Sequence, residues 1–316
     1  MKCVGIESTA HTFSCSVVDD EGEILSEVRE MYKTKDWGIV PNKCAEFLKE
    51  VKERIIYEAI KDFKKIDLVA FSQGPGMPLS LWVGLHAARE LAEKYKVPLI
   101  GVNHLISHLE IGKMLCKAKD PIYILATGAN TQIIGYEGGK YRIFGECLTI
   151  GLGNALDKFG RELGIGFPAG PKIETLAKKG SYVELPYVVK GMDVEFSGII
   201  TKAIQLYKKG TKKEDLCYSL QETVFAMLTE VAERALAHTE KKELLLIGGV
   251  AANKRLISML EVMCKERKCK FEVVPMKWSG DQAAMIAWNG ILDFKKEERG
   301  LDLKKLEIMP RWRVDD

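Results

Sequence analysis

The order of apolar segments repeats along the chain, and this repeat is the strongest constraint on the fold. Three strand-like runs separated by short polar turns come first, at residues 3–6, 13–18 and 24–28. Apolar residues at helical spacing follow over residues 44–63, and then a strand, a helix and another strand. A second set of three strand-like runs begins at Ile122 and leads into a similar succession. Two halves of order βββαβα predict a duplicated α/β fold with a cleft between its halves.

The same pattern places the domain boundary between residues 113 and 119. We expect an N-terminal domain over residues 1–113 and a C-terminal domain over residues 119–316, with the last helix as a candidate to pack back on the first domain. The longest apolar runs, 68–71 and 244–247, are far shorter than the ~20 residues of a membrane helix. The eight cysteines form no C-x-x-C pair, which favours reduced thiols. We therefore predict a cytoplasmic protein with no membrane partner; the net charge of +3 neither requires nor excludes nucleic acid.

Two of the five histidines, His104 and His108, stand four residues apart. On a helix they share one face, and such a pair binds a divalent metal when a third ligand arrives from elsewhere. Leu105 stands where an H-E-x-x-H protease carries its glutamate, which argues against a metalloprotease. The alternative is two ordinary histidines on a partly buried helix.

Asp281 is the candidate third ligand. It follows Trp278-Ser279-Gly280 and precedes a predicted helix, where a carboxylate is also a common N-cap. With His104 and His108 it would complete a two-histidine, one-carboxylate set that accommodates iron, zinc or manganese.

Five turns share one design, in which a buried strand ends, small residues free the backbone, and a new element begins. Backbone N–H groups in such turns can approach phosphate oxygens, and a helix N-terminus adds a favourable dipole. Neither a P-loop nor a G-x-G-x-x-G motif occurs in the sequence. Five such turns in two related halves predict nucleotide binding. The turns are residues 7–12, 72–76, 127–131, 167–171 and 248–253.

Three more carboxylates accompany these turns, and each has two interpretations. Glu7 either faces the cleft or is a turn residue. Asp157 either binds a ligand or pairs with Arg161 one helical turn away. Glu174 either accepts hydrogen bonds from a ribose or favours a helix N-terminus.

Together, several motifs resemble one family, the universal tRNA N6-adenosine threonylcarbamoyltransferase. The match is to its archaeal and eukaryotic branch, the catalytic subunit of the KEOPS complex, and it extends from residue 3 to about residue 313. The motifs are Gly5-Ile6-Glu7-Ser8-Thr9-Ala10-His11-Thr12, Ser72-Gln73-Gly74-Pro75-Gly76, Val102-Asn103-His104 with His108, Asn130-Thr131-Gln132, Gly153-Asn154-Ala155-Leu156-Asp157, Phe196-Ser197-Gly198, Gly248-Gly249-Val250-Ala251-Ala252-Asn253 and Asp281.

This resemblance implies a duplicated actin-like ATPase fold (ASKHA, RNase H-like), with two domains around a nucleotide cleft. It implies transfer of a threonylcarbamoyl group from its adenylate to N6 of the adenosine beside the anticodon (position 37) in ANN-decoding tRNA. His104, His108 and Asp281 are then the metal ligands, with iron favoured and zinc or manganese as alternatives. The general base is not evident; His11 and Glu7 are the catalytic candidates. The implied binding positions for an adenine nucleotide (threonylcarbamoyl-AMP or ATP) are Thr127, Gly128, Ala129, Asp157, Gly170, Glu174 and Asn253.

The implied partners are tRNA, a Bud32-type kinase, a Cgi121-like subunit and a Pcc1-like subunit. The ending Pro310-Arg311-Trp312-Arg313 resembles the join to the kinase in members fused to it. Alternatives are an ATP-binding regulatory scaffold for an attached Bud32-type kinase and a small-molecule kinase of the same fold. Ala129 and Ala169 replace glycines of the family pattern, so each is expected to add a methyl group where the backbone should approach a ligand.

Overall fold

The computed structural model describes residues 1–33, 39–297, 300–303 and 305–316. In the first part of the chain these residues form β1 (Lys2–Glu7), β2 (Thr12–Asp19), β3 (Ile24–Met31), α1 (Pro41–Ile60), β4 (Leu68–Gly74), α2 (Pro78–Tyr95), β5 (Leu99–Asn103) and α3 (His104–Leu115). The second part forms β6 (Ile122–Ala126), β7 (Thr131–Glu137), β8 (Lys140–Glu146), α4 (Leu152–Glu162), α5 (Gly170–Ala177), β9 (Val189–Lys190), β10 (Asp193–Val194), α6 (Ser197–Lys208), α7 (Lys213–Thr239), β11 (Glu243–Ile247), the 3-10 turn Gly249–Ala252, α8 (Lys254–Glu266), β12 (Lys270–Val273), α9 (Met276–Ser279) and α10 (Ala283–Glu297).

The two large sheets have the same topology, which confirms the predicted duplication. Within the described residues, the first sheet has the strand order β3-β2-β1-β4-β5 and the second has the equivalent order β8-β7-β6-β11-β12. In each sheet the first three strands form an antiparallel meander. The last two strands run parallel to the first strand of the meander. Because parallel strands need a crossover, helices separate them along the chain.

The chain divides into two compact units. The first contains residues 1–114, 281–314 and 316, and the second contains residues 115–280 and 315. The predicted boundary near residue 113 thus falls after Met114, whereas the second unit ends at Gly280 and α10 belongs to the first. Within the first unit, α10 packs on β1, β2 and β4.

The apolar residues of the helices recur at helical spacing and lie on the buried faces. In α1 the residues Leu48, Val51, Ile55 and Ala59 recur at helical spacing and are buried in the core of the first unit. In the second unit the 27-residue α7 is buried along most of its length. Within the described residues, no helix combines the length and the apolar character needed to cross a membrane.

The region around residues 192–198, which is rich in polar residues and glycine, forms regular structure. The short hairpin of β9 and β10 is followed directly by α6. Phe196, Ile199, Ile200 and Ala203 are all buried in the core of the second unit. Their spacing is helical, but Gly198 and the polar residues between them hide the pattern in the sequence.

Candidate metal centre and nucleotide turns

The histidine pair lies at the start of α3, where Asn103 caps the helix. The side-chain Oδ1 of Asn103 accepts hydrogen bonds from the N–H groups of Leu105 at 2.9 Å and Ile106 at 3.2 Å. These are two of the donors that a helix N-terminus leaves without an intrahelical partner. The cap fixes the first turn, and His104 and His108 lie one turn apart with only 8% and 1% of their surface exposed.

Asp281 meets both histidines, as the sequence predicted for the third member of the set. Its Oδ1 lies 3.3 Å from Nε2 of His108 and 3.5 Å from Nε2 of His104. The candidate ligand atoms of the three side chains all lie within 4.8 Å of one another. The carboxylate of Asp281 thus faces the two imidazoles instead of capping α10, which leaves the N-cap alternative unsupported.

Glu7 contacts the other side of the His104 ring. Its Oε2 lies 2.9 Å from Nδ1 of His104, and its Oε1 accepts hydrogen bonds from the N–H and hydroxyl groups of Thr9 at 2.7 and 2.5 Å. Glu7 is fully buried. A carboxylate on the second nitrogen of a ligating histidine fixes the tautomer and the ring orientation. These contacts favour an orienting role for Glu7 over the general-base role considered from the sequence.

The pKa values of the three side chains reflect their burial and their mutual contacts. Burial lowers the pKa of His104, but the carboxylates of Glu7 and Asp281 outweigh it and raise that pKa to about 10. Burial lowers the pKa of His108. Burial alone would raise the pKa of Asp281, yet its hydrogen bonds with the two histidines hold that pKa well below its ordinary value.

The donor set fits a divalent cation. Two imidazole Nε2 atoms and one carboxylate converge, Glu7 holds His104 from behind, and the local field favours positive charge at Nε2 of His104. Nitrogen and oxygen ligands in this ratio suit iron, zinc and manganese alike.

Glu27 holds the segment that carries Asp281, a role that the sequence did not indicate. Its carboxylate accepts hydrogen bonds from the N–H groups of Ala283 at 3.4 Å and Ala284 at 3.0 Å, at the start of α10. Burial raises its pKa, although the hydroxyl of Ser14 and the N–H of Ala284 lower it in part. The only sequence signal was a charged residue within an otherwise half-buried strand.

His11, the other catalytic candidate, lies in the turn between β1 and β2 and is partly buried. Its Nδ1 is buried and has no hydrogen-bond partner among the described residues. The catalytic role of His11 stays a prediction.

In the second unit, the turn after β6 lies against the start of α4. The Thr127 hydroxyl accepts a hydrogen bond from the Asn130 N–H at 3.0 Å, and the Gly128 carbonyl accepts one from the Asn154 N–H at 3.0 Å. A side chain at Gly151 would come within 2.4 Å of Ala129 backbone atoms. Gly128 and Ala129 are exposed, so the backbone of this turn is accessible; its role in nucleotide binding stays a prediction.

Asp157 connects α4 to the turn that precedes α5. Its Oδ1 accepts a hydrogen bond from the Ala169 N–H at 2.7 Å. Burial raises the pKa of Asp157, and the Ala169 N–H and Arg161 lower it in part. Ala169 is fully buried, and its Cβ would lie 2.2 Å from a Cβ on Gly160. The expectation that the Ala169 methyl group faces a ligand is therefore wrong; it packs against α4.

Gly170, the first residue of α5, is free of close neighbours, because an added Cβ would meet no atom within 4 Å. One turn further along, the Glu174 carboxylate accepts a hydrogen bond from the Lys254 N–H at 3.1 Å, at the start of α8. This contact is with the N-terminus of α8 and not of α5, the helix that carries Glu174, so both interpretations of Glu174 stay predictions.

Asn253 caps α8, just beyond the 3-10 turn. Its Oδ1 accepts hydrogen bonds from the N–H groups of Arg255 at 2.9 Å and Leu256 at 3.3 Å, and its Nδ2 donates to Gln221 at 3.0 Å. Both ends of the side-chain amide thus make hydrogen bonds within the fold, but these bonds use only one of the two Nδ2 hydrogens. A contact from Asn253 to a nucleotide would have to come from the other Nδ2 hydrogen, from the backbone or by exchange of one of these bonds.

The sequence-predicted residues therefore form two groups. The metal candidates and Glu7 meet in the first unit, whereas the nucleotide candidates occupy connected turns of the second unit.

Solved structures with a similar fold identify the class of protein. HypF from T. kodakarensis matches 93% of this chain and 48% of its own, with a TM-score of 0.62 and 16% identity. Component A of (R)-2-hydroxyglutaryl-CoA dehydratase from Acidaminococcus fermentans matches 93% of this chain and 98% of its own, with a TM-score of 0.54 and 16% identity. The protein thus has an actin-like ATPase fold, here with a histidine–aspartate cluster on its first unit.

Sequence comparison identifies the family. The family model for TsaD, tRNA N6-adenosine threonylcarbamoyltransferase, matches residues 23–288. A tRNA N6-adenosine threonylcarbamoyltransferase of Thermococcus sibiricus is 48% identical over all of this chain and 98% of its own length. A probable bifunctional tRNA threonylcarbamoyladenosine biosynthesis protein of Methanocaldococcus jannaschii is also 48% identical, and the chain spans 59% of its length. The chain belongs to the tRNA N6-adenosine threonylcarbamoyltransferase family of enzymes.

Proposed function

We propose that this enzyme transfers the threonylcarbamoyl group of threonylcarbamoyl-adenylate to N6 of adenosine 37 in ANN-decoding tRNA, with one divalent metal ion at His104, His108 and Asp281. The observation that carries the proposal is the convergence of these three side chains, with Glu7 behind His104, in a chain of this family. Iron is the favoured ion, and zinc or manganese would suit the same ligands.

When bound, the metal would supply a Lewis acid for an oxygen of the adenylate. The other roles in the proposed mechanism belong to side chains of this chain. Glu7 holds the His104 ring in one tautomer, and the cap from Asn103 fixes the helix turn that carries both imidazoles. With both Glu7 oxygens engaged by Thr9 and His104, His11 is the better candidate for moving a proton from the attacking amine.

The adenine nucleotide is proposed to bind the turns of the second unit, at Thr127, Gly128, Ala129, Asp157, Gly170, Glu174 and Asn253. The exposed turn at Gly128 and the uncrowded Gly170 support this placement, because a phosphate group can approach the backbone closely at both positions. Such donors would stabilise the charge that develops on the departing AMP. A HypF structure of similar fold, 12% identical, was solved in a phosphate- and nucleotide-bound form.

The proposed partners are tRNA and the KEOPS subunits, namely a Bud32-type kinase, a Cgi121-like subunit and a Pcc1-like subunit. Relatives named as bifunctional, of which this chain spans 59%, support a functional association with a second domain.

The test is a transfer assay with tRNA, freshly formed threonylcarbamoyl-adenylate and the partner subunits. His104→Ala and Asp281→Ala are expected to lose bound metal, measured by elemental analysis, and to lose at least about 100-fold in transfer rate. His238→Ala, which removes an exposed histidine of the second unit, is the matched control and should retain both. Wild-type rates in both site variants would remove the metal from the mechanism.

A second candidate function is an ATP-binding scaffold that regulates an attached Bud32-type kinase. It is favoured by the relatives named as bifunctional. Calorimetry that detects ATP binding, together with no transfer when all partners are present, would favour the scaffold over the transferase.

A further inference from the structure

The segment of residues 307–313, here the C-terminal strap, lies on the first unit. The apolar side chains of Leu303, Leu306 and Ile308, in and just before the strap, pack against the hydrophobic core of the first unit. This packing anchors the strap and brings its backbone to the ends of β4 and β5.

The strap is hydrogen-bonded to the turn after β4. The Met309 N–H donates to the Gln73 carbonyl at 2.8 Å, and the Gly76 N–H donates to the Pro310 carbonyl at 3.2 Å. A Cβ at Gly74 would lie 1.8 Å from the Met309 carbonyl oxygen. Only glycine at position 74 lets the strap approach this closely, since real Cβ contacts are never that short.

The strap also holds the residue that begins the histidine helix. The Asn103 Nδ2 donates to the Arg313 carbonyl at 3.0 Å, while its Oδ1 caps α3 through Leu105 and Ile106. Asn103 is 2% exposed. One amide group therefore joins the strap to the first turn of α3, directly before His104.

A second connection runs through the turn after β4. A Cβ at Gly76 would lie 2.6 Å from the Thr9 carbonyl oxygen, and the Met77 N–H donates to that oxygen at 2.7 Å. Thr9 in turn donates to Glu7, and its hydroxyl lies 3.4 Å from Nδ1 of His104. The strap thus braces the turn that supports the Glu7 side of the His104 ring.

From these contacts we infer that the strap positions the candidate metal centre, with Asn103 and Gly74 as its positioning residues. The inference rests on the proposed metal site at His104, His108 and Asp281. A ring held from both its helix turn and its carboxylate partner is preorganised for a metal, so loosening the strap should weaken metal binding before it unfolds the unit.

Two variants loosen the strap in different ways. Asn103→Ser keeps a capping oxygen but removes the donor to the Arg313 carbonyl. Gly74→Ala places a methyl group against the Met309 carbonyl and displaces the strap without touching α3. Ile55→Val, a fully buried core change in α1, is the matched control for general destabilisation.

The measurement is a Co²⁺ titration of the chelator-treated full chain, followed by visible absorption, beside thermal melting and amide exchange of residues 104–108. Asn103→Ser and Gly74→Ala are expected to raise the Co²⁺ Kd about 10–100-fold and to speed amide exchange in the first turn of α3. Ile55→Val should lower Tm with an unchanged Kd.

Wild-type Co²⁺ affinity in both strap variants, or an equal loss in Ile55→Val, would overturn the inference. The variant His104→Ala distinguishes a failure of the strap inference from a failure of the proposed metal site. If His104→Ala abolishes Co²⁺ binding while the strap variants bind normally, the metal site stands and the strap is only structural. If His104→Ala binds Co²⁺ like wild type, the metal site itself fails, and the inference with it.

Discussion

Asp157 offers a test that separates a structural role from a ligand-binding role within one carboxylate. Its Oδ1 accepts the Ala169 N–H at 2.7 Å, whereas its Oδ2 accepts no hydrogen bond from the described residues. Asp157→Asn keeps an oxygen for Ala169 but replaces the other oxygen by an NH₂ group. Asp157→Ala removes both.

The expected magnitudes follow from these contacts. Losing a half-buried acceptor at a helix N-terminus costs about 1–2 kcal/mol, so Asp157→Ala should lower Tm by about 2–8 °C. Asp157→Asn keeps that bond and should change the free energy of unfolding by less than about 0.5 kcal/mol at low pH. Burial raises the folded pKa of Asp157 above its ordinary value of 3.8, so the stability that the carboxyl contributes is lost as pH rises through the folded pKa. Asp157→Asn should therefore become more stable relative to wild type as pH rises above about 3.8.

The assay combines thermal melting with calorimetric titration of ATP. If Oδ2 faces the nucleotide, Asp157→Asn should weaken ATP binding at least about tenfold, which corresponds to about 1.4 kcal/mol, with little change in Tm. Glu162→Gln removes an exposed carboxylate at the end of the same helix and serves as the control. Unchanged ATP affinity in Asp157→Asn would refute the ligand role, and a Tm loss equal to that of Asp157→Ala would refute the capping argument.

Three further predictions concern packing and charge. Gly160→Ala should lower the free energy of unfolding by about 1–3 kcal/mol, because its methyl group would lie 2.2 Å from the Ala169 Cβ. Chemical denaturation should show that adding Ala169→Gly restores most of this loss, and additive effects of the two substitutions would contradict the contact. Lys241→Met should cost about 1–2 kcal/mol by removing the ammonium bound to Asp120 at 2.6 Å, and a denaturation midpoint equal to that of wild type would show that the pair contributes nothing. Glu27→Gln should become more stable relative to wild type as pH rises above about 4.5, because burial raises the Glu27 pKa and ionisation then disfavours the folded state; denaturation curves across pH 4–8 test this, and a pH-independent difference would argue against it.

The fold could be predicted from sequence because its repeat appears twice in the apolar pattern. The order of strands and helices in both halves matches the structure, since β-strand alternation and helical spacing are local signals. Helix α6 is not evident from the sequence, because Gly198 interrupts the apolar spacing around Phe196 and Ile199. The placement of α10 in the first unit depends on contacts between residues far apart in sequence, such as Ala283 and Ser14, which are 269 positions apart.

The candidate metal ligands could be proposed from spacing and family resemblance, but the residues that hold them could not. Glu7 and Glu27 are carboxylates whose partners, His104 and Ala284, are distant in sequence. At Ala169 the sequence predicts that a methyl group replaces a hydrogen atom of glycine, but it does not tell which way that methyl group points. The packed backbone sets the direction of the methyl group.

The interruption of the first unit by the second has a consequence for synthesis. Residues 115–280 form a continuous segment and can fold as soon as they leave the ribosome. The first sheet emerges earlier, but it lacks Asp281, α10 and the strap until residues 281–313 are made. During that interval His104 and His108 on α3 lack the carboxylate that completes their set. A ribosome-stalled chain ending before residue 281 should hold a folded second unit and only a partial ligand set, so the candidate metal centre can form only after the second unit has been synthesised.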